Sequence, residues 1–340
     1  MFDILRSVCE ISGASGGEHS VAGYVEEIIK PFCEECFIDN MGNVIAFKKG
    51  KQRAAKKVML DAHLDEVGFI ITNINSDGSL SFEMLGGVNI ESIVAKRVKI
   101  NEATGVVQVK PIHLLKGDEG KKMPDKTSLT IDIGATDKQD AASYVKVGDI
   151  GTFYNQYIEF GDGLIKSKAL DDRIGCAILI DMIKSDLEYD AWFSFSVQEE
   201  IGLRGARVTS HYIEPDFAIA VETTTAADIA GMPENKQVCK VGEGAAVSFM
   251  DNSTLYERKL FDLSLKVAKA NNIKAQVKQA VSGGNNSGSI HLSKTGVRAI
   301  TVSTPCRYLH SQSCVASKED ILSVRKLSEA LLEQMATGEV

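Results

Sequence analysis

Val58-Met59-Leu60-Asp61-Ala62-His63-Leu64-Asp65-Glu66 begins as an apolar, strand-like run and ends in acids and an imidazole. Open α/β sheets keep their sites where such strands end. The stretch therefore sets two expectations, an α/β domain and chemistry at its strand ends. Upstream, Val21, Tyr24, Val25, Ile28 and Ile29 repeat at helical spacing and stop at Pro31. Cys36 to Ile38 and Val44 to Phe47 read as strands around a Met41-Gly42-Asn43 turn. Downstream, the texture changes to short β-type runs, Phe69 to Ile74, Val98 to Ile100, Val106 to Val109 and Leu129 to Ile133, divided by Gly, Asn and Asp turns. This predicts a small β domain, a partly closed barrel, with the charged stretch Lys116 to Lys126 as a mobile loop. Helical patterning returns at Asp172 to Ile183. It is followed by the strand Trp192 to Val197, a Gly-bounded helix, the strand Phe217 to Val221, a helix over Tyr256 to Asn271 and the strand Val297 to Val302. The expected architecture is α/β, a mixed central sheet flanked by helices. Residues 1-66 and 162-340 form the catalytic domain, and residues 67-161 form an inserted β domain.

Composition narrows the function classes. The 340 residues are 44% hydrophobic and 25% charged, with 6 Pro and 29 Gly, which excludes a disordered or collagen-like chain. Lys and Arg number 38 against 46 Asp and Glu, a net charge of -8, so no nucleic acid or anionic membrane partner is expected. The 7 Cys are odd in number and scattered, which suits free thiols in a reducing compartment. Met1 to Arg6 reads as an amphipathic helix lacking a basic leader and a long apolar run, and no run approaches the ~18 residues of a membrane span. A cytoplasmic location is expected.

Acids or His stand beside a strand end or turn at His63 with Asp65, Asp171-Asp172, Glu199-Glu200, Glu222 and His310. Each has an ordinary structural alternative, a solvated cap or a half-buried His bonded to a turn. In an extended segment residues i and i+2 share a face, so the Asp65 carboxylate could hold the His63 imidazole in its metal-binding tautomer. Capping of the following helix accounts for one acid of Asp171-Asp172 but not for both. Side chains diverging at a strand end suit a division of labour between Glu199 and Glu200, one binding metal and one acting as base. A nitrogen and oxygen donor set without Cys suits Zn²⁺, Co²⁺ or Mn²⁺ in hydrolysis, and this inventory favours two ions over one.

Four segments also carry a resemblance. Ala62-His63-Leu64-Asp65-Glu66-Val67-Gly68, Lys168-Ala169-Leu170-Asp171-Asp172-Arg173-Ile174-Gly175, Val197-Gln198-Glu199-Glu200-Ile201-Gly202-Leu203-Arg204-Gly205-Ala206 and Arg307-Tyr308-Leu309-His310-Ser311 resemble, in order, the signature segments of the M42 family of metallo-aminopeptidases. Lesser matches are Ser12 to Gly16, Lys110 to His113 and Ile131 to Ala135. The resemblance implies a zinc-peptidase-like catalytic domain with two divalent metal ions per subunit. Asp171 would bridge the ions, His63 and Glu222 would complete one, and Glu200 and His310 the other. Glu199 would be the general base, with catalytic support from Asp65 behind His63. It further implies peptide substrates and a homo-oligomer of dimers assembling to a dodecamer through the inserted domain. Two segments depart from the pattern. Glu222 stands where many relatives have Asp, and Gly283-Gly284-Asn285-Asn286-Ser287-Gly288 stands where relatives often carry Gly-Gly-Thr-Asp-Ala.

The expected activity is removal of N-terminal residues from peptides. The alternatives are a dinuclear deacylase of N-acyl compounds, an endoglucanase-type glycosidase and a non-catalytic assembly protein. Cys33-Glu34-Glu35-Cys36 lacks a second ligand pair, and Gly13 to Gly17 lacks the residues of a phosphate loop and reads as a helix–helix turn. His19 is expected on a helix surface, His113 and His211 in structural roles, and His291, Arg307 and Tyr308 near the site.

Overall fold

The computed structural model describes residues 1–115, 117 and 124–340. Lys116 and residues 118–123 of the expected loop lie outside the described residues. The helices are α1 (Phe2–Glu10), α2 (His19–Ile29), α3 (Lys138–Tyr144), α4 (Leu170–Lys184), α5 (Arg204–Ile213), α6 (Arg258–Ala270), α7 (Ser287–Ile290) and α8 (Lys318–Thr337). The strands to the end of the barrel are β1 (Glu35–Ile38), β2 (Val44–Lys48), β3 (Val58–His63), β4 (Gly68–Ile74), β5 (Leu80–Leu85), β6 (Arg97–Ile100), β7 (Ala103–Val107), β8 (Ile131–Asp132) and β9 (Ile150–Phe153). After them come β10 (Ile158–Phe160), β11 (Leu164–Ser167), β12 (Ala191–Ser196), β13 (Phe217–Thr225), β14 (Ala245–Val247), β15 (Ala275–Val277), β16 (Arg298–Arg307) and β17 (Cys314–Ser317).

Among the described residues two sheets form. The larger runs β1-β2-β12-β3-β13-β16-β17-β11-β10, with β14 on β16 and β15 on β14. Its centre, β12, β3, β13 and β16, is parallel, and antiparallel strands flank it. Every residue of β3 is buried. Val58, Leu60 and Ala62 join the core built with α1, α4 and α8, while Met59 joins Ile45, Ala206, Ala218 and Ile290 on the other face. Helices thus cover both faces, as an apolar parallel sheet requires. The fold is the expected mixed α/β class.

The second sheet is a closed barrel, β4-β5-β8-β7-β6-β9, where partial closure was expected. Phe69, Ile71, Leu80, Val98, Ile100, Ile131 and Phe153 fill it. Gly151 is required there, because a Cβ would lie 2.3 Å from the Phe69 ring. β10, at Ile158–Phe160, hydrogen-bonds to β11 in the larger sheet.

The expected strand ends fall short at β13 and β16. β13 continues past Val221 to Thr225, and β16 past Val302 to Arg307, because the two pair in parallel from Phe217↔Arg298 to Thr225↔Cys306. Thr suits a pleated strand, so pairing outlasts the apolar run from which the boundary was read. No described helix is long and apolar enough to cross a membrane.

Phe193 is fully buried on β12 in the main core. Phe193→Ala should lower unfolding free energy by about 3–5 kcal/mol, measured by chemical denaturation.

Candidate metal centre

The parallel strands end at one edge of the sheet, and the candidate residues meet there. His63 is the last residue of β3, and Glu222 lies inside β13. Glu199 and Glu200 do not end β12. The strand stops at Ser196, and Gln198 turns the chain through φ 58° before the acidic pair. His310 follows β16, itself at φ 57°. Asp171 and Asp172 are joined by a cis peptide bond at the start of α4, and neither has helical dihedrals.

The two aspartates divide their work. Asp172 is the cap: its Oδ1 accepts from Gly175 N at 3.1 Å and its Oδ2 from His63 N at 3.4 Å. Asp171 instead borders the cavity between two imidazoles. Its Oδ1 lies 3.3 Å from His63 Nε2, and its Oδ2 lies 3.3 Å from His310 Nε2. Glu222 Oε2 is 3.8 Å from His63 Nε2, and Glu200 Oε1 is 3.4 Å from His310 Nε2. Three overlapping groups of donors result among the described residues, His63-Asp171-Glu222, Asp171-Glu200-His310 and His63-Glu199-Glu200, each with its donor atoms within 4.8 Å of one another. Asp171 belongs to the first two.

Electrostatics favours cations here. Burial and the neighbouring carboxylates push Glu199 and Glu222 well above the usual carboxyl range, although His63 opposes the shift. Burial raises Glu200 to about 7, with Asp171 adding to it and His310 opposing. Burial disfavours charge on His310, but Asp171 and Glu200 outweigh it and bring its pKa to about 10. His63 is likewise raised well above its ordinary value, burial being overcome by Asp171, Asp65, Glu199 and Glu222. Buried Glu200 Oε1 and Glu222 Oε1 have no hydrogen-bond partner among the described residues. Divalent cations held by nitrogen and oxygen donors fit this set, since they would neutralise the carboxylates and use the unpaired oxygens.

Main-chain contacts hold the candidate ligands. His63 Nδ1 lies 2.9 Å from the Asp65 carbonyl, which leaves Nε2 free to face the cavity. The expected carboxylate partner is secondary, with Asp65 Oδ1 at 3.4 Å. That carboxylate instead accepts from Glu199 N at 2.9 Å, Glu200 N at 3.1 Å and the Ser15 hydroxyl at 2.6 Å. His310 Nδ1 lies 2.9 Å from the Gly87 carbonyl, on the loop after β5. Gly205 packs against the end of β12, where a Cβ would lie 2.4 Å from Val197 O, so the turn carrying Glu199 and Glu200 is held close to the sheet.

The candidate ligands open into a cavity of about 500 Å³ that also includes Asn89, Leu203, Thr223 to Thr225, Lys278, Ser282 to Asn285, Ser303 and Leu309. Sequence reading had singled out none of Lys278, Ser303 or Asn89, whose relevance depends on strands and loops remote in the chain. Three expected neighbours do not line it. His291 is turned to Ser287 O at 2.6 Å, Arg307 pairs with Asp228, and Tyr308 is 55% exposed. His19 is exposed as expected, and His113 and His211 are exposed rather than packed in the interior.

Residues 42–327 match the sequence profile of Peptidase_M42, described as M42 glutamyl aminopeptidase. The chain belongs to the M42 family. M42 peptidases are metal-dependent, and this member is a peptide-bond hydrolase of the aminopeptidase type. It is 34% identical to the lysyl aminopeptidase of Pyrococcus furiosus, over 98% of this chain and 97% of that protein. The TET aminopeptidase of a marine-sediment Thaumarchaeota archaeon matches with TM-score 0.94 at 31% identity, covering 98% of this chain and 96% of its own. The TET1 peptidase of Pyrococcus horikoshii, which can assemble into a tetrahedron or a large octahedral shell, matches with TM-score 0.84 at 29% identity, over 97% and 98% of the two chains.

In this M42 member, Asp65→Asn would keep one acceptor oxygen and turn an amide N–H₂ toward a backbone N–H. Zinc affinity should fall about 10- to 100-fold, measured by competition with a chromogenic chelator.

Proposed function

We propose that the chain releases N-terminal residues from peptides at a centre holding two divalent ions per subunit, with Asp171 shared between them. His63 and Glu222 would complete one ion, and Glu200 and His310 the other. The placement of both Asp171 oxygens against separate imidazoles supports this assignment most directly. Zn²⁺, Co²⁺ and Mn²⁺ all suit the donors, and ions bound there would acidify water and polarise a peptide carbonyl.

Glu199 serves as general base. It borders the cavity with a carboxylate oxygen within 4.8 Å of donor atoms of His63 and Glu200, and burial among carboxylates raises its proton affinity. The glutamate takes the proton from the attacking water and returns it to the leaving amine as the C–N bond breaks. Asp65 acts through main chain, holding the amides of Glu199 and Glu200 so that the two side chains keep separate directions. Glu222 is long enough to reach the site from within β13, with one oxygen toward His63, so its extra methylene relative to Asp does not remove it from the ligand set.

Residues 67-161 form the inserted domain in this reading, with residues 1-66 and 162-340 as the catalytic domain. The insert also reaches the site, through Gly87. The assembly of the Pyrococcus horikoshii relative into a tetrahedron or octahedral shell supports a homo-oligomer, which we take as dimers building a dodecamer, and the composition supports a cytoplasmic enzyme.

Glu199→Gln should retain two metal ions and the native circular dichroism while lowering kcat on aminoacyl anilides by about 10²–10⁴-fold. Turnover within tenfold of wild type would remove Glu199 from its role. Hydrolysis of N-acyl substrates in preference to free-amine anilides would move the activity to a deacylase.

A further inference from the structure

A second cavity, about 790 Å³ in volume, opens beside α5 and α7. Acids outnumber bases in the chain, 46 to 38, yet Arg204, Arg207, His211 and Lys294 line this cavity and no described Asp or Glu does. The clefts beside α1 and β15 differ, each having a carboxylate in its wall, Glu10 in the first and Glu234 in the second. The helix explains the arrangement. Gly205, Ala206, Thr209, Ser210 and Ile213 are the buried residues of α5, which leaves Arg204, Arg207, Val208 and His211 on its open face. One turn from Arg207 on either side stand Leu203, Arg204, Ser210 and His211, so no acid of the helix neutralises it. Arg207 has neither a hydrogen bond nor an ion pair among the described residues, and Arg204 reaches only the neutral Gln198 Oε1, at 3.4 Å. Lys294 is compensated by Glu214 at 2.5 Å. The unmatched charge therefore belongs to the two arginines.

Two further observations point to a ligand. Ser293, 7% exposed, lines the cavity, and its buried hydroxyl has no hydrogen-bond partner among the described residues. Such a group costs free energy unless something bonds to it. Leu203 lines both this cavity and the one at the candidate metal centre. It follows the Glu199-Glu200 turn, and its Cδ1 lies 3.0 Å from where a Gly288 Cβ would stand, so the bare Gly288 leaves room for the leucine where the two cavities meet. Arg and Lys present donors only, which suits backbone carbonyls and carboxylates, and exposed Val208 and Leu292 add apolar contact.

We propose that this groove holds the part of a peptide substrate beyond the scissile bond and favours acidic residues there. This rests on the aminopeptidase reading above. The first residue stays at the metal centre, the chain passes Leu203, and a downstream carboxylate accepts from Arg204 and Arg207. A downstream Lys or Arg meets like charge instead. The groove lies away from the reacting bond, and its contribution is the same before and during cleavage, so it acts on KM more than on kcat.

The test is kinetics of the full chain, loaded with Co²⁺, on heptapeptides that share one first residue and differ in a Glu-Glu, Gln-Gln or Lys-Lys pair walked from the second position to the sixth. The p-nitroanilide of the same first residue has nothing to place in the groove, and each kcat/KM is divided by the value on that anilide. In at least one register Glu-Glu should exceed Lys-Lys by about 10-fold, with Gln-Gln between them and the difference carried by KM. Raising NaCl to about 1 M, where the Debye length is ~3 Å, should remove most of that difference. Arg207→Glu should reverse the order, and Arg207→Lys should keep it. An equal or reversed order in every register of the wild type overturns the proposal even if no variant folds. An acidic preference undiminished in a folded Arg207→Glu protein also overturns it. If light scattering then shows that variant in smaller particles than the wild type, the groove is a contact between copies of the chain. A wild type inactive on the anilide and the peptides but active on N-acyl substrates overturns the aminopeptidase reading itself.

Discussion

The centre depends on one carboxylate facing two imidazoles. Asp171 presents one oxygen to His63 and the other to His310, and the remaining acids gather around that axis. So many carboxylates in a buried cleft repel one another, and water cannot reach them freely to compensate. Positive charge at the centre relieves the repulsion, from protons on the imidazoles when no other cation is bound and from divalent ions when they are. The same crowding that makes the empty cluster unfavourable makes it selective for cations.

Holding acids in that arrangement requires support that does not compete for the cavity. Main-chain groups provide much of it. Asp65 binds two successive amides of the Glu199 turn, Gly87 receives the His310 ring, and Asp172 caps α4 beside its cavity-facing neighbour. Beneath lies a second buried charge cluster. Glu66 meets Lys168 at 2.5 Å, and the fully buried Arg173 donates to Leu64 O at 2.7 Å and to main-chain carbonyls near the end of α1. This cluster joins the α1–α2 turn, β3 and the start of α4, so the segments bearing His63 and Asp171 are tied to one another through charged hydrogen bonds.

Much of the fold was legible because its signals are local. β3 and β12 appear as apolar runs, α4 and α6 as helical periodicities, and the barrel as short β runs divided by turn residues. Strand ends were less legible at β13 and β16, because pairing between them carries polar threonines that the hydrophobic pattern does not mark. For the site, His63, Asp171 and the Glu199-Glu200 pair stood out by their position at the ends of apolar elements. Lys278 and Asn89 did not, since neither belongs to a motif and each reaches the cavity by way of a different part of the sheet or barrel. The Asp65 carboxylate was visible as a polar group of interest, but its partners are amides more than 130 residues away.

The amino-acid sequence by itself determined the α/β class, the presence of a β insert and the donor types available for hydrolytic metal chemistry, since these follow from local hydrophobic period and side-chain identity. Spacing left open which of two adjacent aspartates caps a helix and which faces both histidines; the tertiary structure places Asp172 as the cap and Asp171 between the imidazoles. It also decided that the barrel loop bearing Gly87 reaches His310 and that the buried Lys278 lines the same cavity. Those outcomes depend on the direction of side chains and on strand register across the sheet, and neither can be read from spacing along the chain.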